Sequence, residues 1–354
     1  MRHLLIERTD QGLEIARVED GRLTDHVTAD TGGLHTEQVM TARALTRAGG
    51  INAWFMRLPD GQTGFLQQTP AHLSAGDLAL VQVKKPPVGK KAAFLTTDIA
   101  LPARDLILLP VTDRLAVSSR ADKEDAPLLY ALGQSLKPDK MGLIVRHGAL
   151  QADRESLLAQ LTICLQRWAL IKAGLERADG PALLYEGRTP LMRALDDLPP
   201  VDMVLSDRAD DSLPDGAPPI AYDAAPFARF GVRAQRLRLT ARRVELRGGG
   251  FLITDPTEAL TVIDVNTGSA SGSGSDKEAL FLRTDLEAVR TIAQILRVRD
   301  IGGIVIIDLI DLKDEKDRQT VLDEMKAAVL RDPVKCVVHG FTALGLMEMT
   351  RKRG

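Results

Sequence analysis

EALTVIDVNTG (258–268) and GGIVIIDLID (302–311) are the two stretches that decide the fold of this chain. Each is an apolar run of strand length that ends in an aspartate, Asp264 in the first and Asp308 in the second. Apolar residues recur at helical spacing between them, from about 285 to 298. The alternation of strand and helix predicts an α/β layer. The run around 302–311 is apolar enough to predict a strand buried on both faces.

The polar residues at these strand ends form the candidate for chemistry. Asp264 and Asn266 are two residues apart, so both project from the same face of their strand. Acids at the carboxyl ends of adjacent strands line the crevice in which α/β sheets bind ligands. Two carboxylates and an amide oxygen are hard ligands suited to Mg²⁺, which orients water and phosphate oxygens. Aspartates at such ends are also typical of turns and helix caps, the role expected of Asp311. Alone, these residues indicate only a phosphate-handling α/β enzyme.

Several other enzyme classes are excluded by their motifs. The chain has no P-loop, no GxGxxG after a strand and no GxSxG. This argues against nucleotide kinases, dinucleotide-binding enzymes and serine hydrolases. The glycine- and serine-rich tract at 268–275 is spaced as a loop rather than as a phosphate cradle.

The first hundred residues are rich in short alternating segments. Two or three short strands are predicted within 1–30. Five more segments follow between 37 and 98, separated by glycine- and proline-containing turns. This pattern predicts a small antiparallel barrel of the OB type. Such barrels bind single strands with exposed aromatic rings, and Trp54, Phe55 and Phe65 are the candidates; for each ring the barrel core is an equally open alternative.

Two helices are predicted in the middle of the chain. KEDAPLLYALGQSL (123–136) is the first, between apolar strands at 105–111 and 142–146. The second runs from about 154 to 176 and carries an apolar stripe that is expected to be core, consisting of Leu157, Leu161, Leu165, Trp168 and Ile171.

Positive charge is concentrated locally although the net charge is only −2. Seven arginines stand against one acid between Ala228 and Arg247. KKPPVGKK at 84–91 and RKR at 351–353 are further basic clusters. Each cluster alone is typical of a solvated face, but three in a nearly neutral chain favour a phosphate-bearing partner.

The cysteine content and the hydropathy pattern predict the cellular compartment. Cys164 and Cys336 form no CxxC motif and sit among apolar neighbours, so two buried thiols and no structural zinc are expected. The apolar runs are far shorter than the roughly 18–20 residues of a membrane span. Charged residues come too early for a signal peptide. We expect a cytoplasmic protein without a membrane span.

Three segments, in the same order along the chain, resemble the catalytic region of the bacterial ribonuclease E/G family. They are EALTVIDVNTG (258–268), LEAVRTIAQILRVRDIGGIVIIDLIDL (286–312) and GLMEMTRKR (345–353). MGLIVRHGA (141–149), followed by a helix ending LQRWALIK, resembles the 5′-sensor segment of that family, and INAWFMRLPDGQTGFL (51–66) resembles its RNA-binding barrel. The resemblance therefore runs through nearly the whole chain.

The resemblance implies an α/β protein of several subdomains. An RNase H-like layer would comprise 1–34 and 180–240, and an OB-type barrel 35–99. A 5′-sensor subdomain would span 100–179, and a DNase I-like catalytic layer 241–354. It also implies a Mg²⁺-dependent endoribonuclease, with Mn²⁺ as the alternative cation, that leaves 5′-phosphate and 3′-hydroxyl ends on single-stranded RNA. Family members act in processing of ribosomal RNA precursors and in messenger decay.

The same resemblance assigns roles to individual residues. Asp264 and Asp308 would hold the metal, with Asn266 positioning Asp264 as the third catalytic residue. Arg146, with His147 beside it, would contact a terminal 5′-monophosphate. The resemblance also implies that Phe55, Phe65 and Lys91 of the barrel face RNA. Arg242 and Arg243 are expected to face RNA for a different reason, because they belong to the arginine-rich segment between Ala228 and Arg247.

The chain departs from the family in three respects. His147 stands where the family usually has a threonine, although a histidine can still donate a hydrogen bond to phosphate. The zinc-binding CPxC-type motif beyond the MTRQR-like segment is missing, so a monomer or a weak homodimer is expected. The barrel lacks the basic YKGK-like entry of its relatives. Two other functions stay open: an RNA-binding protein of the same fold with weak or no cleavage, and a metal-dependent nuclease acting on DNA.

Overall fold

The computed structural model describes the chain except for residues 11, 30–32, 51, 68–72, 88, 90, 119–120, 122–123, 212, 214–216, 269–274 and 353–354. Two compact units are present, one formed by Met1–Thr31 with Asp197–Gly354 and the other by Gly32–Asp196. Within the described residues, none of the helices combines the length and the apolar character that crossing a membrane requires.

The strands and helices follow one another in mixed order. In chain order the strands are β1 (Arg2–Thr9), β2 (Gly12–Glu19), β3 (Arg22–Ala29), β4 (Val39–Arg47), β5 (Ala53–Arg57), β6 (Thr63–Gln67), β7 (Leu78–Lys85), β8 (Ala93–Thr96), β9 (Leu101–Pro102), β10 (Leu106–Leu109), β11 (Leu115–Val117), β12 (Gly142–Val145), β13 (Ala182–Tyr185), β14 (Met203–Ser206), β15 (Ile220–Tyr222), β16 (Arg243–Glu245), β17 (Phe251–Pro256), β18 (Leu260–Asn266), β19 (Gly303–Asp308), β20 (Cys336–Phe341) and β21 (Met347–Arg351). The helices are α1 (Ala126–Leu136), α2 (Arg154–Leu175), α3 (Pro190–Asp197), α4 (Pro226–Arg229), α5 (Val232–Thr240), α6 (Ser275–Val298) and α7 (Glu315–Leu330), with a short 3-10 helix at His147–Leu150.

The first unit contains two sheets. The N-terminal sheet has the order β15-β14-β1-β2-β3. Its strands β1 to β3 form an antiparallel meander, and β14 and β15 add to β1 in parallel. Of the two or three short strands predicted within 1–30, the structure contains three, because alternating apolar residues and the turn at Gly21 define both their faces and their ends.

The second sheet of this unit has the order β16-β17-β18-β19-β21-β20. Buried residues of α6 and α7 pack with the inward residues of this sheet in one core. Val305 and Ile307 of β19 are fully buried, whereas Ile304 is 48% exposed. The prediction that this strand is buried on both faces is therefore wrong. Its continuous apolar run hides an ordinary alternation, with helices on one face and an open face opposite.

Helix α6 begins earlier than the sequence pattern predicts. It starts at Ser275, ten residues before the expected start at 285, because good helix formers such as Lys277, Glu278 and Ala279 continue it toward the N-terminus. Val289, Ala293 and Leu296, which belong to the apolar pattern predicted between about 285 and 298, are buried. Most of the loop predicted at 268–275 lies outside the described residues.

The second unit contains a closed five-stranded barrel. Its strands pair in the order β4-β5-β6-β8-β7, and β7 pairs again with β4 to close the ring. The β6–β8 pair is parallel and the other pairs are antiparallel. This barrel confirms the predicted OB-like arrangement, and its five strands lie where the alternating segments place them.

A smaller sheet, β11-β12-β10-β9, completes the second unit with α1 and α2. Four of the predicted stripe residues of α2 are buried in its core and Leu165 is partly buried. Strand β13 pairs with β4 of the barrel sheet. Residues 180–196, assigned from sequence to the layer that contains 1–34, therefore belong to the unit of the barrel.

Candidate functional site

Two predicted strand-end acids meet on the C-terminal sheet. Strands β18 and β19 are parallel neighbours, and in their register Asp264 lies opposite Asp308. Register partners on neighbouring strands project from the same face, about 4.8 Å apart in the backbone. Inward-facing Ile263, Val265 and Ile307 are buried beside them, so both aspartates point to the open face of the sheet. The structure thus brings together two acids that are 44 residues apart in sequence, 264 and 308.

Asn266 belongs to the same group. Its side-chain Nδ2 donates a hydrogen bond to Oδ2 of Asp264 at 2.7 Å, which fixes the orientation of that carboxylate. Directly after this strand end, Gly268 has a φ of +66°. A Cβ atom there would lie 2.4 Å from the carbonyl oxygen of Gly249, so only glycine allows this turn to pack against the turn before β17.

The electrostatics of this carboxylate pair suit a cation. Asp308 is exposed and Asp264 is half-buried. Neither forms an ion pair among the residues that the structure describes. Two carboxylates at this spacing repel each other unless a positive charge lies between them. Within the described residues no group of three or more His, Cys, Asp or Glu is gathered for a metal. Two carboxylates fit Mg²⁺ nevertheless, because that ion keeps several waters and takes few protein ligands.

A buried acid supports the turn that follows Asp308. Asp285 of α6 is 0% exposed, and its Oδ1 accepts a hydrogen bond from the backbone N–H of Ile310 at 3.1 Å. Its Oδ2 has no hydrogen-bond partner. Burial raises the pKa of this carboxyl to about 7, against the smaller opposing effect of the Ile310 hydrogen bond. The helix therefore holds the end of β19 through a group that the sequence analysis missed.

The arginine-rich segment contributes one ring contact next to the carboxylates. Arg243 of β16 lies over the ring of Phe251, 3.5 Å from its centroid, and its Nε donates to Oε1 of Glu245 at 2.7 Å. Arg242 instead forms a two-pronged ion pair with Asp255, including Nη2 to Oδ2 at 2.7 Å. The two candidate arginines thus have different surroundings.

The C-terminal basic cluster does not have the role expected from its composition. Arg351 is 3% exposed and its Nε donates to Oδ2 of Asp332 at 2.8 Å. Its Nη1 donates to Asp300 at 2.7 Å. Reading 351–353 as a phosphate-attracting cluster is therefore wrong for Arg351, because a distant acid neutralises it inside the fold. Residue 353 lies outside the described residues.

Three phenylalanines form a row on the outside of the barrel. Phe55 pairs in register with Phe65, and Phe65 with Phe94. The ring centroids are 5.6 Å and 6.3 Å apart along this row. Phe55 is 37% exposed and the other two are half-buried, whereas Trp54 is buried in the barrel core. Phe55 and Phe65 are thus accessible to a ligand, whereas Trp54 lies in the barrel core.

Lysines border this aromatic row. Lys85 of β7 is exposed and lies in register opposite Phe94. The predicted Lys91 is also exposed, two residues before β8. Rings beside cations are the combination with which single-strand-binding barrels hold nucleic acid.

A model of the ribonuclease E/G family matches residues 100–354, which include the Asp264, Asn266 and Asp308 group. The chain belongs to the ribonuclease E/G family. It is 33% identical over 294 residues to a Ribonuclease G of Escherichia coli (strain K12), an alignment covering 78% of this chain and 60% of that protein. A Ribonuclease G of Haemophilus influenzae is 32% identical over 294 residues, with the same coverage of 78% and 60%. A Ribonuclease E of Nostoc sp. (strain PCC 7120) is 32% identical over 338 residues, covering 86% of this chain and 49% of that protein. The chain therefore spans between about half and 60% of the length of these relatives.

In this ribonuclease E/G family member the two sensor candidates are adjacent at the end of β12. Arg146 is half-buried, and its Nη1 donates to the backbone oxygen of Arg104 at 3.2 Å. Its backbone N–H donates to the oxygen of Asp105 at 2.9 Å. His147 is exposed and begins the 3-10 helix. These contacts hold Arg146 in place directly before His147.

Two residues of the candidate site were not predicted, although the position of each in the sequence pattern indicates it. Phe94 alternates with the buried Ala93 and Leu95, so strand parity alone puts it on the outer face with Phe55 and Phe65. Asp285 occupies a buried position of the α6 repeat, four residues before Val289, where an apolar side chain is the usual occupant. An acid in a buried stripe is a positional signal that composition does not reveal.

Proposed function

We propose that this chain is a Mg²⁺-dependent endoribonuclease that cuts single-stranded RNA and leaves 5′-phosphate and 3′-hydroxyl ends. The observation that carries the proposal is the pairing of Asp264 with Asp308 on an open sheet face in a member of the ribonuclease E/G family. A cellular role in RNA processing or decay, including ribosomal RNA processing and messenger decay, is part of the proposal. The names of the relatives, Ribonuclease G and Ribonuclease E, support action on RNA, and the specific cellular roles are those that the family resemblance implies.

Asp264, Asn266 and Asp308, which we call the metal group, have separate tasks in this proposal. Asp264 and Asp308 hold the cation, because their carboxylates share one face with no competing ion pair among the described residues. Asn266 keeps the Asp264 carboxylate turned in one direction through its 2.7 Å hydrogen bond. Mg²⁺, when bound, supplies a Lewis acid for a phosphate oxygen and a water of lowered pKa. Asp285 keeps the turn after Asp308 attached to α6.

The substrate grip is proposed to come from the barrel. The row of Phe55, Phe65 and Phe94 offers ring faces to unpaired bases, and each base stacked on a ring contributes roughly 1–3 kcal/mol. Exposed Lys91 and Lys85 lie near the row and suit the phosphates between such bases. A duplex hides its base faces, so this surface favours single strands.

A 5′-end sensor is proposed at Arg146 and His147. A guanidinium can bind a terminal monophosphate through two parallel hydrogen bonds, and an imidazole N–H can add a third. In the same proposal the N-terminal sheet is an RNase H-like layer. The sheet containing Asp264 is a DNase I-like layer.

One experiment separates the enzyme from its alternatives. A single-stranded RNA oligonucleotide labelled at its 5′ end is incubated with the chain in Mg²⁺, in Mn²⁺ and in EDTA. Internal cuts that require the cation and leave a 3′-hydroxyl are expected. Binding without cuts in either cation would support the RNA-binding alternative. Equal cleavage of DNA of the same sequence would support the DNA nuclease, and cleavage in EDTA would remove the metal from the proposal.

A further inference from the structure

We propose that Arg243 and Phe251 form a nucleotide-binding subsite of the catalytic centre, which binds the base of a nucleotide next to the cleaved bond. We call the two residues the Arg243–Phe251 stack. The inference rests on the proposed function and deepens it. It adds a base contact on the catalytic sheet itself, whereas the aromatic row belongs to the barrel.

The register of the sheet places the stack beside the metal group. Arg243 is opposite Ile253, Ile253 is opposite Asp264, and Asp264 is opposite Asp308. In the neighbouring row Phe251 is opposite Asn266. With strands roughly 4.8 Å apart, Phe251 lies about 5 Å from Asn266 in the backbone and Arg243 about 10 Å from Asp264.

All of these side chains point to the same face. Val244, Leu252 and Ile263 are the buried alternates of β16, β17 and β18. Their neighbours Arg243, Phe251 and Asp264 therefore project from the open side of the sheet. The stack and the carboxylate pair share one continuous surface.

Arg243 is fixed from two sides. The Phe251 ring lies 3.5 Å from its guanidinium carbon, and Glu245 accepts a hydrogen bond from its Nε at 2.7 Å. The side chain nevertheless remains 55% exposed, and its two terminal nitrogens donate no hydrogen bond to any described residue. The guanidinium carbon therefore lies over the ring, and more than half of the side-chain surface is still accessible to a ligand.

An open, fixed guanidinium plane suits one kind of occupant. Unpaired bases stack on such planes, and the free N–H groups can donate to a phosphate or to a base edge. An RNA strand whose phosphate lies at Asp264 and Asp308 has its adjoining nucleotides within reach of this row. A cation at this position also complements the polyanion beside two acids that would otherwise repel it. The occupant is therefore a nucleotide of the substrate strand.

Arg290 of α6 provides the matched control. It is an exposed arginine of the same unit, and its Nε donates a hydrogen bond to Oε1 of Glu324 at 2.7 Å. Helix α6 packs against the buried face of the sheet, opposite the open face that carries Asp264 and Arg243. Removing the Arg290 side chain therefore deletes the same formal charge without changing the Arg243–Phe251 stack.

The test compares four variants with the wild type on single-stranded RNA in Mg²⁺. The variants are Arg243→Ala, Arg243→Lys, Phe251→Leu and the control Arg290→Ala. Each chain receives an RNA of defined sequence and three copies of it, which carry one abasic nucleotide either just 5′ of the cleaved bond, just 3′ of it or far from it. kcat and KM are measured for each combination, and thermal unfolding reports whether the variant is folded.

A specific pattern is expected. One of the two flanking abasic sites should lower the wild-type kcat/KM about tenfold, and the distant site should leave it unchanged. Arg243→Ala and Arg243→Lys should lose about tenfold on intact RNA but show no additional loss with the flanking abasic site, because the contact is already gone. Phe251→Leu should show a smaller loss of kcat/KM at the flanking abasic site than the wild type does, since Arg243 keeps its charge but not its ring support. Arg290→Ala should behave as the wild type.

Four results would overturn the inference. Folded Arg243→Ala with the wild-type sensitivity to abasic sites would show that no base binds there. Full activity of Arg243→Lys would reduce the role to charge alone. A loss of thermal stability with unchanged kcat/KM would make the stack a structural feature of the edge strand. A wild-type chain that does not cut RNA at all would overturn the proposed function, and this subsite with it.

Discussion

Asp264 and Asp308 are register partners in the parallel pair of β18 and β19, and their carboxylates leave the sheet side by side on its open face. Backbone hydrogen bonds set their separation, because β17 pairs with the other edge of β18 and β21 with the other edge of β19. A change of either side chain therefore alters the charge at the site without altering the positions of the strands.

Replacing either carboxylate by its amide should abolish cleavage and spare RNA binding. Asp264→Asn and Asp308→Asn each remove one charged ligand of the proposed cation, which is worth several kcal/mol in the transition state, or on the order of 100-fold or more in rate. RNA affinity should stay equal or increase, because a negative charge is lost. Cleavage rates in Mg²⁺ and filter binding in EDTA measure the two quantities.

Asp255→Asn is the control for that prediction. Asp255 is a partly exposed acid on β17 of the same sheet and pairs with Arg242 instead of facing Asp308. We expect this variant to cut at the wild-type rate. If Asp264→Asn or Asp308→Asn cuts as fast as Asp255→Asn, the metal group is elsewhere.

The sequence predicts the strands and helices of this fold better than the contacts between them. The barrel strands and the strand-end acids follow from alternation and apolar runs, which are local properties. The register that sets Asp264 opposite Asp308 is not local and comes only from the folded sheet. For the same reason Arg351 is misread as a free cation, since its partner Asp332 lies 19 residues away.

Removal of the exposed barrel rings should weaken RNA binding without unfolding the barrel. Phe55→Ala and Phe65→Ala each remove one stacking surface, so we expect roughly a tenfold or greater loss of affinity for single-stranded RNA. Fluorescence anisotropy with a labelled oligonucleotide in EDTA measures this loss. Tyr130→Ala removes an exposed ring of α1 in the same unit and should leave the affinity unchanged. Unchanged binding by both Phe variants would exclude the row as the RNA surface.

Loss of the sensor arginine should narrow the preference for 5′-monophosphate ends. In the wild type, RNA with a 5′-monophosphate should be cut faster than the same RNA with a 5′-hydroxyl. Arg146→Ala should bring the two rates together, because the bidentate donor for the phosphate is gone. The ratio of the two initial rates is the measurement, and Arg114→Ala, an exposed arginine of the same unit, is the control. A ratio that Arg146→Ala leaves unchanged would show that these residues do not sense the 5′ end.

The buried acid behind the metal group should make stability depend on pH. The pKa of Asp285 is raised from 3.8 to about 7 in the folded chain, so the folded state binds a proton that the unfolded state releases. The stability is therefore fully present below about pH 4 and is lost as the pH rises toward 7. The raised pKa corresponds to roughly 4 kcal/mol.

Asp285→Asn should remove that dependence, because an amide keeps the acceptor for the Ile310 N–H and does not ionise. Thermal midpoints measured in EDTA between pH 4 and 8 should show the wild type falling by several degrees relative to this variant, most steeply below pH 7. The difference between the two chains isolates Asp285 from the other titrating groups. Glu258→Gln, a change of an exposed carboxylate, should instead follow the wild type at every pH. Parallel curves for the wild type and Asp285→Asn would mean that Asp285 keeps the same proton occupancy in the folded and unfolded chain, and its buried carboxyl would then have no part in the pH response.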